Sequence, residues 1–183
     1  MVAGAAEGDG YPWYWRAPLL SEGGVTMVSS HSRLDRPTTM TATGDFTWTD
    51  AYLLGYAPMD DTHREFVDIV SALLAADDAS VATHLEAFAR HAEAHFNQEH
   101  EWMEKTEFPA RQCHVDEHNA VMKSVREVQE IVAGGNAEQG RSLARALADW
   151  FPGHADYMDS ALAAWMSKRA YGGKPVVLRR NLG

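Results

Sequence analysis

The stretch HFNQEHEWMEKTEFPARQCHVDEH runs from His95 to His118 and contains four histidines and five glutamates in 24 residues. Its pattern on both sides of Pro109 is helical, so it reads as the end of one helix and the start of another. A solvent-exposed helical face usually carries Glu and Lys, and a core usually carries Leu and Ile. Histidine at this density suits neither surface, so the pattern is either accidental or the mark of a binding site.

Helical periodicity extends outward from this stretch in both directions, with no convincing strand after Trp48. Four helices joined by short connections favour an all-α fold, an antiparallel up-down four-helix bundle. The predicted helices run from Asp60 or Asp61 to about residue 74, from Asp78 or Ser80 to about 105, from about 111 to 133, and from about 137 to 169.

The composition is that of an acidic globular domain. The chain has 183 residues, of which 45% are hydrophobic and 23% charged, and this suits one domain with a substantial core. The formal net charge of -10 repels phosphate backbones and argues against nucleic-acid binding.

Cysteine content and hydropathy bear on the compartment. Cys113 is the one cysteine, so a disulfide within the chain is impossible and a reducing cytoplasm fits. No apolar run approaches the roughly 18 residues needed to span a bilayer, and the N-terminus lacks the regions of a signal peptide. We therefore expect a cytoplasmic protein that does not bind membranes.

Three segments follow from the local composition. Residues 1–44 are rich in Gly, Pro, Ser and Thr without a clear period, which predicts a disordered N-terminal extension. Residues 45–170 form the predicted helical domain. Residues 171–183 form a basic C-terminal tail, which is typical of a solvated chain end.

Two histidine-containing pairs have the spacing of one helical face. His95 and Glu99 are four residues apart on the second predicted helix, and His114 and His118 repeat that spacing on the third. Residues i and i+4 lie one above the other, so each pair can reach one site. Either pair alone occurs often by chance.

The other two predicted helices also carry candidate ligands. His63 lies near the start of the first helix, and the fourth carries His154 and Asp159. On a regular α-helix residues i and i+5 are about 140° apart, so this last pair would not meet. A local widening such as a π-type turn would bring them together, and Pro152 is expected to kink or split the helix there.

The combined set points to metal chemistry, because bundles build such sites from facing helices. Five imidazoles and two carboxylates are too many for one tetrahedral zinc and fit two ions bridged by carboxylates. Imidazole with carboxylate suits iron, although ligand type alone leaves manganese open. The ferritin-like signature Glu-x-x-His is missing, since no histidine has Glu three residues before it. The predicted metal ligands are His63, His95, Glu99, His114, His118, His154 and Asp159.

The arrangement resembles that of the bacterial hemerythrins, members of the hemerythrin-like domain family. The resemblance covers about residues 46–168 and fills all seven ligand positions of that family. The matching features, in order, are Trp48, GYAPMDDTH ending at His63, HFNQE with His95 and Glu99, FP at 108–109, HVDEH with His114 and His118, and WFPGHADYMD with His154 and Asp159.

The resemblance implies a centre of two iron ions bridged by carboxylates and by an oxo or hydroxo group. The iron with two histidines would keep an open position, where dioxygen would bind. The implied roles are one iron on His114, His118 and His154, the other on His63 and His95, and bridges from Glu99 and Asp159.

The function that follows is reversible dioxygen binding by a carrier, storage or delivery protein that is not an enzyme. Two alternatives stay open, because function resides in the site and not in the fold. One is a di-iron enzyme acting on peroxide or nitric oxide, and the other is an oxygen- or redox-sensing module. We expect a monomer, and the sequence does not identify a protein partner.

The side chains beside the predicted ligands could have either of two roles. Trp102, Met103, Trp150 and Phe151 flank the ligands and are either an apolar shell around the metals or ordinary core.

The remaining histidines and the cysteine are predicted to stay away from the metals. His91 is read as a solvated side chain in preference to a partner of a ligand, and His100 points away from the face of Glu99. His31 lies in the extension and is expected to be inert. Cys113 is expected to be a small buried apolar residue.

Overall fold

The computed structural model describes residues 46–172, and the regular elements in that range are all helical. The prediction of an N-terminal extension over 1–44 lies outside the described residues, as does the predicted basic tail from residue 173 onward. A short 3-10 turn at Asp50–Tyr52 is followed by α1 at Ala57–Ala75, α2 at Val81–Lys105, α3 at Arg111–Ala133, α4 at Ala137–His154, a π-helical turn at Ala155–Asp159, and α5 at Ser160–Tyr171.

The helices form the predicted four-helix bundle. Each helix packs against the next one in the chain, and α4 returns to pack against α1, which closes the ring. The connections are five residues or shorter, so consecutive helices are antiparallel. α4, the π-turn and α5 follow one another without a break and together make the fourth member of the bundle.

The first helix begins earlier than predicted. It starts at Ala57 with Pro58 in its first turn, where the fixed φ of proline suits a helix and its missing N–H is no loss. Asp60 does not begin the helix. Its buried carboxylate instead accepts hydrogen bonds from the backbone N–H groups of Leu54, at 2.7 Å, and Gly55, at 3.0 Å. The side chain thus fixes the chain as it enters α1.

The fourth helix changes its winding just after Pro152, as the sequence predicted. Proline has no N–H to donate to the preceding turn, which weakens the regular hydrogen-bond ladder at this point. The next residues, Ala155–Asp159, adopt π-helical winding before the α-helix resumes at Ser160. A π-turn carries one residue more than an α-turn, so residues five apart come to the same face.

Apolar side chains pack on both sides of the ligand level. One cluster lies at the end of the bundle where α1 begins and α2 ends; its core is Leu54, Tyr56, Met59, Met103, Phe108, Leu162 and Ala163. Toward the opposite end the fully buried apolar side chains include Phe66, Val70, Leu73, Leu85, Phe88, Val125 and Leu147.

None of the helices in residues 46–172 is both long enough and apolar enough to cross a membrane.

Candidate metal centre

The seven predicted ligands are all buried side chains, each at most 5% exposed. They come from every helix of the bundle and meet between the two apolar regions. Charged or strongly polar groups at such a depth require partners or a bound cation. The residues are His63 on α1, His95 and Glu99 on α2, His114 and His118 on α3, His154 at the end of α4 and Asp159 at the end of the π-turn.

Their donor atoms fall into two groups, in each of which all atoms lie within 4.8 Å of one another. The larger group contains three imidazoles and two carboxylates, and the smaller contains two imidazoles and one carboxylate. Glu99 belongs to both groups. The larger group is Glu99, His114, His118, His154 and Asp159, and the smaller is His63, His95 and Glu99.

The two oxygens of Glu99 face different groups. Oε1 lies 3.0 Å from Nε2 of His95, and Oε2 lies 3.3 Å from Nε2 of His114 and 3.6 Å from Nε2 of His118. A carboxylate whose oxygens point to separate clusters of imidazoles has the geometry of a bridging ligand.

The two carboxylate oxygens of Asp159 also face different groups of imidazoles. Oδ1 lies 3.1 Å from Nε2 of His114 and 3.2 Å from Nε2 of His154, whereas Oδ2 lies 3.2 Å from Nε2 of His63. The π-turn makes this possible, because it brings Asp159 to the face of the fourth helix that carries His154.

Several atoms of the cluster lack hydrogen-bond partners although they are buried. They are Nε2 of His63 and His114, Oε2 of Glu99, and both carboxylate oxygens of Asp159. These atoms lie 3.1, 3.2 or 3.3 Å from imidazole or carboxylate partners in the cluster but do not form hydrogen bonds with them, so the protein alone satisfies them poorly. Imidazole nitrogens and carboxylate oxygens are good metal donors, and the cluster fits bound metal ions better than it fits a polar network.

Ion pairs organise the metal-free cluster. Burial alone would lower the pKa of His154, but the Asp159 carboxylate and then Glu117 raise it to about 10. Burial opposes ionisation of Glu99 and Asp159 as well, yet the surrounding imidazoles hold both carboxyl pKa values below their usual range. A metal ion must therefore displace the additional proton of His154 when it binds.

Glu117 supports the cluster from outside and was missed by the sequence prediction. It is 8% exposed, accepts a hydrogen bond from Nε1 of Trp150 at 2.7 Å, and lies 3.3 Å from Nδ1 of His154. A carboxylate on Nδ1 fixes the ring orientation and leaves Nε2 facing the cluster. Its position three residues after His114, on the same helical face, was a usable signal.

Aromatic rings cover the imidazoles. Phe96 stacks on His118 with centroids 3.8 Å apart and planes 11° apart, and Trp150 stacks on His154 at 4.3 Å and 29°. Phe151 meets His63 edge-on at 5.2 Å. Two of the four flanking residues, Trp150 and Phe151, therefore touch predicted ligands.

The other two flanking residues, Trp102 and Met103, belong to the apolar cluster near the start of α1. Met103 is a core residue of that end of the bundle, and Trp102 is partly buried and packs against this core.

The side chains outside the set are placed as follows. His100 is exposed, as predicted, and His31 lies outside the described residues. The prediction of a solvated His91 is wrong, since its side chain is 10% exposed. The prediction that Cys113 is buried is also wrong, because the residue lies at the start of α3 with its side chain exposed.

The fold and the cluster define a metal-binding four-helix bundle. The family model described as the hemerythrin HHE cation binding domain matches residues 54–166, and the chain belongs to the hemerythrin family.

Relatives agree with this assignment. A bacteriohemerythrin of Ralstonia nicotianae (strain ATCC BAA-1114 / GMI1000) is 38% identical over 122 residues, which cover 67% of this chain and 89% of the relative. The crystal structure of a hemerythrin point mutant is 24% identical with a TM-score of 0.59, covering 64% of this chain and 97% of that one. A second mutant crystal structure is 25% identical with the same score and coverage. The structural likeness supports the bundle fold.

Proposed function

We propose that this chain binds dioxygen reversibly at a pair of iron ions held by the seven side chains of the cluster. It would serve as an oxygen carrier, storage or delivery protein and not as an enzyme. The proposal rests on the orientation of two carboxylates. Glu99 and Asp159 each direct one oxygen toward one group of imidazoles and the other oxygen toward the other group.

The two groups differ in the number of donors. With one oxygen from each carboxylate, three histidines give five donors on one side, whereas His63 and His95 give four on the other. The side with fewer protein donors is the side on which an exogenous ligand finds room. Two reduced iron ions, one held by each group, would supply the two electrons that dioxygen takes up reversibly.

The surroundings of this side exclude water. His63 is fully buried and contacts the ring of Phe151, which in turn stacks on Phe66 at 4.7 Å. An apolar wall keeps protons and water away from a bound ligand and so favours release of dioxygen unchanged.

The neighbouring titratable group favours a carrier over an enzyme. His91 lies beside His95, and its pKa is lowered to about 4, first by burial and then by the His95 and His63 imidazoles. An uncharged histidine is a poor acid at neutral pH, whereas reduction of peroxide or nitric oxide consumes protons.

Compartment and assembly form part of the same proposal. The exposed thiol of Cys113 suits a reducing cytoplasm. Within residues 46–172 the exposed large apolar side chains are Ile131, Tyr157 and Tyr171, which is too few for a broad apolar interface and fits a monomer.

Iron content and the visible spectrum test the proposal together. Anaerobically reduced protein with two irons per chain should gain a charge-transfer band in air and lose it on degassing. A band that forms once and does not reverse would favour an enzyme or a redox sensor instead. Fewer than two metal ions per chain would refute the seven-ligand assignment.

A matched pair of variants locates the binding side. His63→Ala should abolish the reversible band, whereas His84→Ala, a change at a histidine outside the cluster on α2, should leave it intact.

A further inference from the structure

His95 has one ring nitrogen inside the cluster and one outside it. Nε2 lies 3.0 Å from Oε1 of Glu99, so Nδ1 points away from the metal side. That Nδ1 is buried and has no hydrogen-bond partner. A histidine that binds a metal almost always donates its other N–H to an acceptor, which holds the ring in place. His95 therefore needs an acceptor close to its outer edge.

His91 offers one. It lies four residues earlier on α2, on the same helical face, with its ring centroid 5.7 Å from that of His95. Its side chain is only 10% exposed, and its Nε2 is also buried without a hydrogen-bond partner. Two neighbouring rings thus each present one unpaired buried nitrogen.

The contact of His91 with Glu65, on the ring edge away from His95, indicates which His91 nitrogen can accept a hydrogen bond. Nδ1 lies 3.7 Å from Oε2 of Glu65, a largely exposed carboxylate on α1. A proton on Nδ1 faces that carboxylate, which leaves Nε2 with a free lone pair toward the interior.

Packing alone does not account for a histidine here. The ring lies against Phe66, and its neighbours on the buried face of α2 are Phe88 and Ala92. An apolar side chain would fill such a position without leaving a polar atom unpaired, so imidazole is favoured only if its nitrogen is used.

We propose that His91 is a positioning residue for His95, accepting the His95 Nδ1–H at its own Nε2, either directly or through one water molecule. Glu65 orients the His91 ring from the solvent side. The inference rests on the proposed function only in treating His95 as a metal ligand. By fixing the ring, His91 slows the loss of the metal on the two-histidine side.

Three variants of the full chain test the inference. His91→Phe keeps a ring of similar size and removes the acceptor, whereas His91→Gln keeps an acceptor oxygen. His84→Phe is the matched control, because His84 is a partly buried histidine on the same helix outside the cluster.

Iron release to an excess of chelator and the solvent exchange of the His95 Nδ1–H are then measured. We expect His91→Phe to release iron roughly 10-fold faster or more, and to expose the N–H to exchange in the paramagnetic proton spectrum. His91→Gln should stay within about 3-fold of wild type, and His84→Phe should match it.

Two outcomes overturn the inference. Wild-type release and exchange in a two-iron His91→Phe protein would make His91 a packing residue. If that variant does not fold, Glu65→Ala decides, because Glu65 is 71% exposed and its loss leaves the core intact. Faster exchange of the His95 N–H in Glu65→Ala supports the inference, and unchanged exchange refutes it.

The failure of the proposed function would look different. A wild-type chain that holds two irons without reversible dioxygen binding leaves the comparison of His91 variants valid. A wild-type chain with fewer than two metal ions overturns both.

Discussion

Glu117→Ala removes the carboxylate that joins Trp150 to His154. The substitution removes the acceptor that the Trp150 Nε1–H and the His154 Nδ1–H share, and both groups are buried. Each unsatisfied buried donor costs about 1–3 kcal/mol, and part of this sum is returned because a buried carboxylate no longer has to be desolvated. We expect a net loss of about 2–4 kcal/mol in the free energy of unfolding of the metal-free protein.

The same substitution should also weaken metal binding by His154. Without Glu117 the ring is free to rotate and its tautomer is no longer fixed, so we expect metal affinity to fall by about 10- to 100-fold. Urea unfolding of the metal-free protein and chelator competition with the iron-loaded protein measure the two effects separately.

Glu130→Ala is the matched control, since Glu130 is an exposed glutamate on the same helix. It should change the free energy of unfolding by less than about 0.5 kcal/mol. If Glu117→Ala behaves like this control in both assays, the carboxylate does not position His154 and the reasoning fails.

Three further predictions concern the frame of the bundle and its charge. Asp60→Ala should cost about 2 kcal/mol in urea unfolding, because two backbone N–H groups ahead of α1 lose a charged acceptor; unchanged stability would show that water replaces it. Gly140→Ala should destabilise by about 1 kcal/mol, since the added methyl would lie 2.6 Å from Cγ2 of Val81. At Gly153 an added methyl would have no neighbour within 4 Å, so Gly153→Ala should stabilise the protein by about 0.5–1 kcal/mol. Urea unfolding in which both glycine substitutions change the free energy of unfolding in the same direction would contradict the predicted difference between the two sites. In the metal-free protein the pKa of His154 is raised from 6.5 to about 10, so its contribution to stability is complete below pH 6.5 and is lost as the pH rises through about 10; melting temperatures that do not fall over this range would refute the ion-pair arrangement.

Periodicity and spacing predicted the bundle and most of the side chains that meet in it, whereas the pairing of His154 with Asp159 rested on the family resemblance. Four apolar stripes with short connections leave few packings other than the closed ring. Pairs such as His95 and Glu99 or His114 and His118 lie on one face of any regular helix, so their convergence needed no knowledge of the tertiary structure.

Features that depend on tertiary contacts could not be predicted in the same way. Asp60 reads as a helix cap in sequence, but its carboxylate bonds to the preceding loop because Pro58 already starts the helix. Cys113 reads as a buried small residue, yet the position beside His114 turns it to the surface. The contacts of Glu117 with Trp150 and His154, and of His91 with Glu65, emerge only when neighbouring helices are placed beside them.

The winding of the fourth helix links the fold to the chemistry. In a regular α-helix Asp159 would lie about 140° from His154, and Glu99 would then be the one carboxylate of the cluster with an oxygen facing each group of imidazoles. The π-turn gives up regular hydrogen bonding to place Asp159 between His63 and His114, where its oxygens are buried and have no hydrogen-bond partner. A distortion that buries a second carboxylate among imidazoles, at a cost in desolvation, would be lost if it served packing alone. The two bound cations that we propose would offset both costs, and they would tie the fourth helix to α1 and α3 through a single side chain.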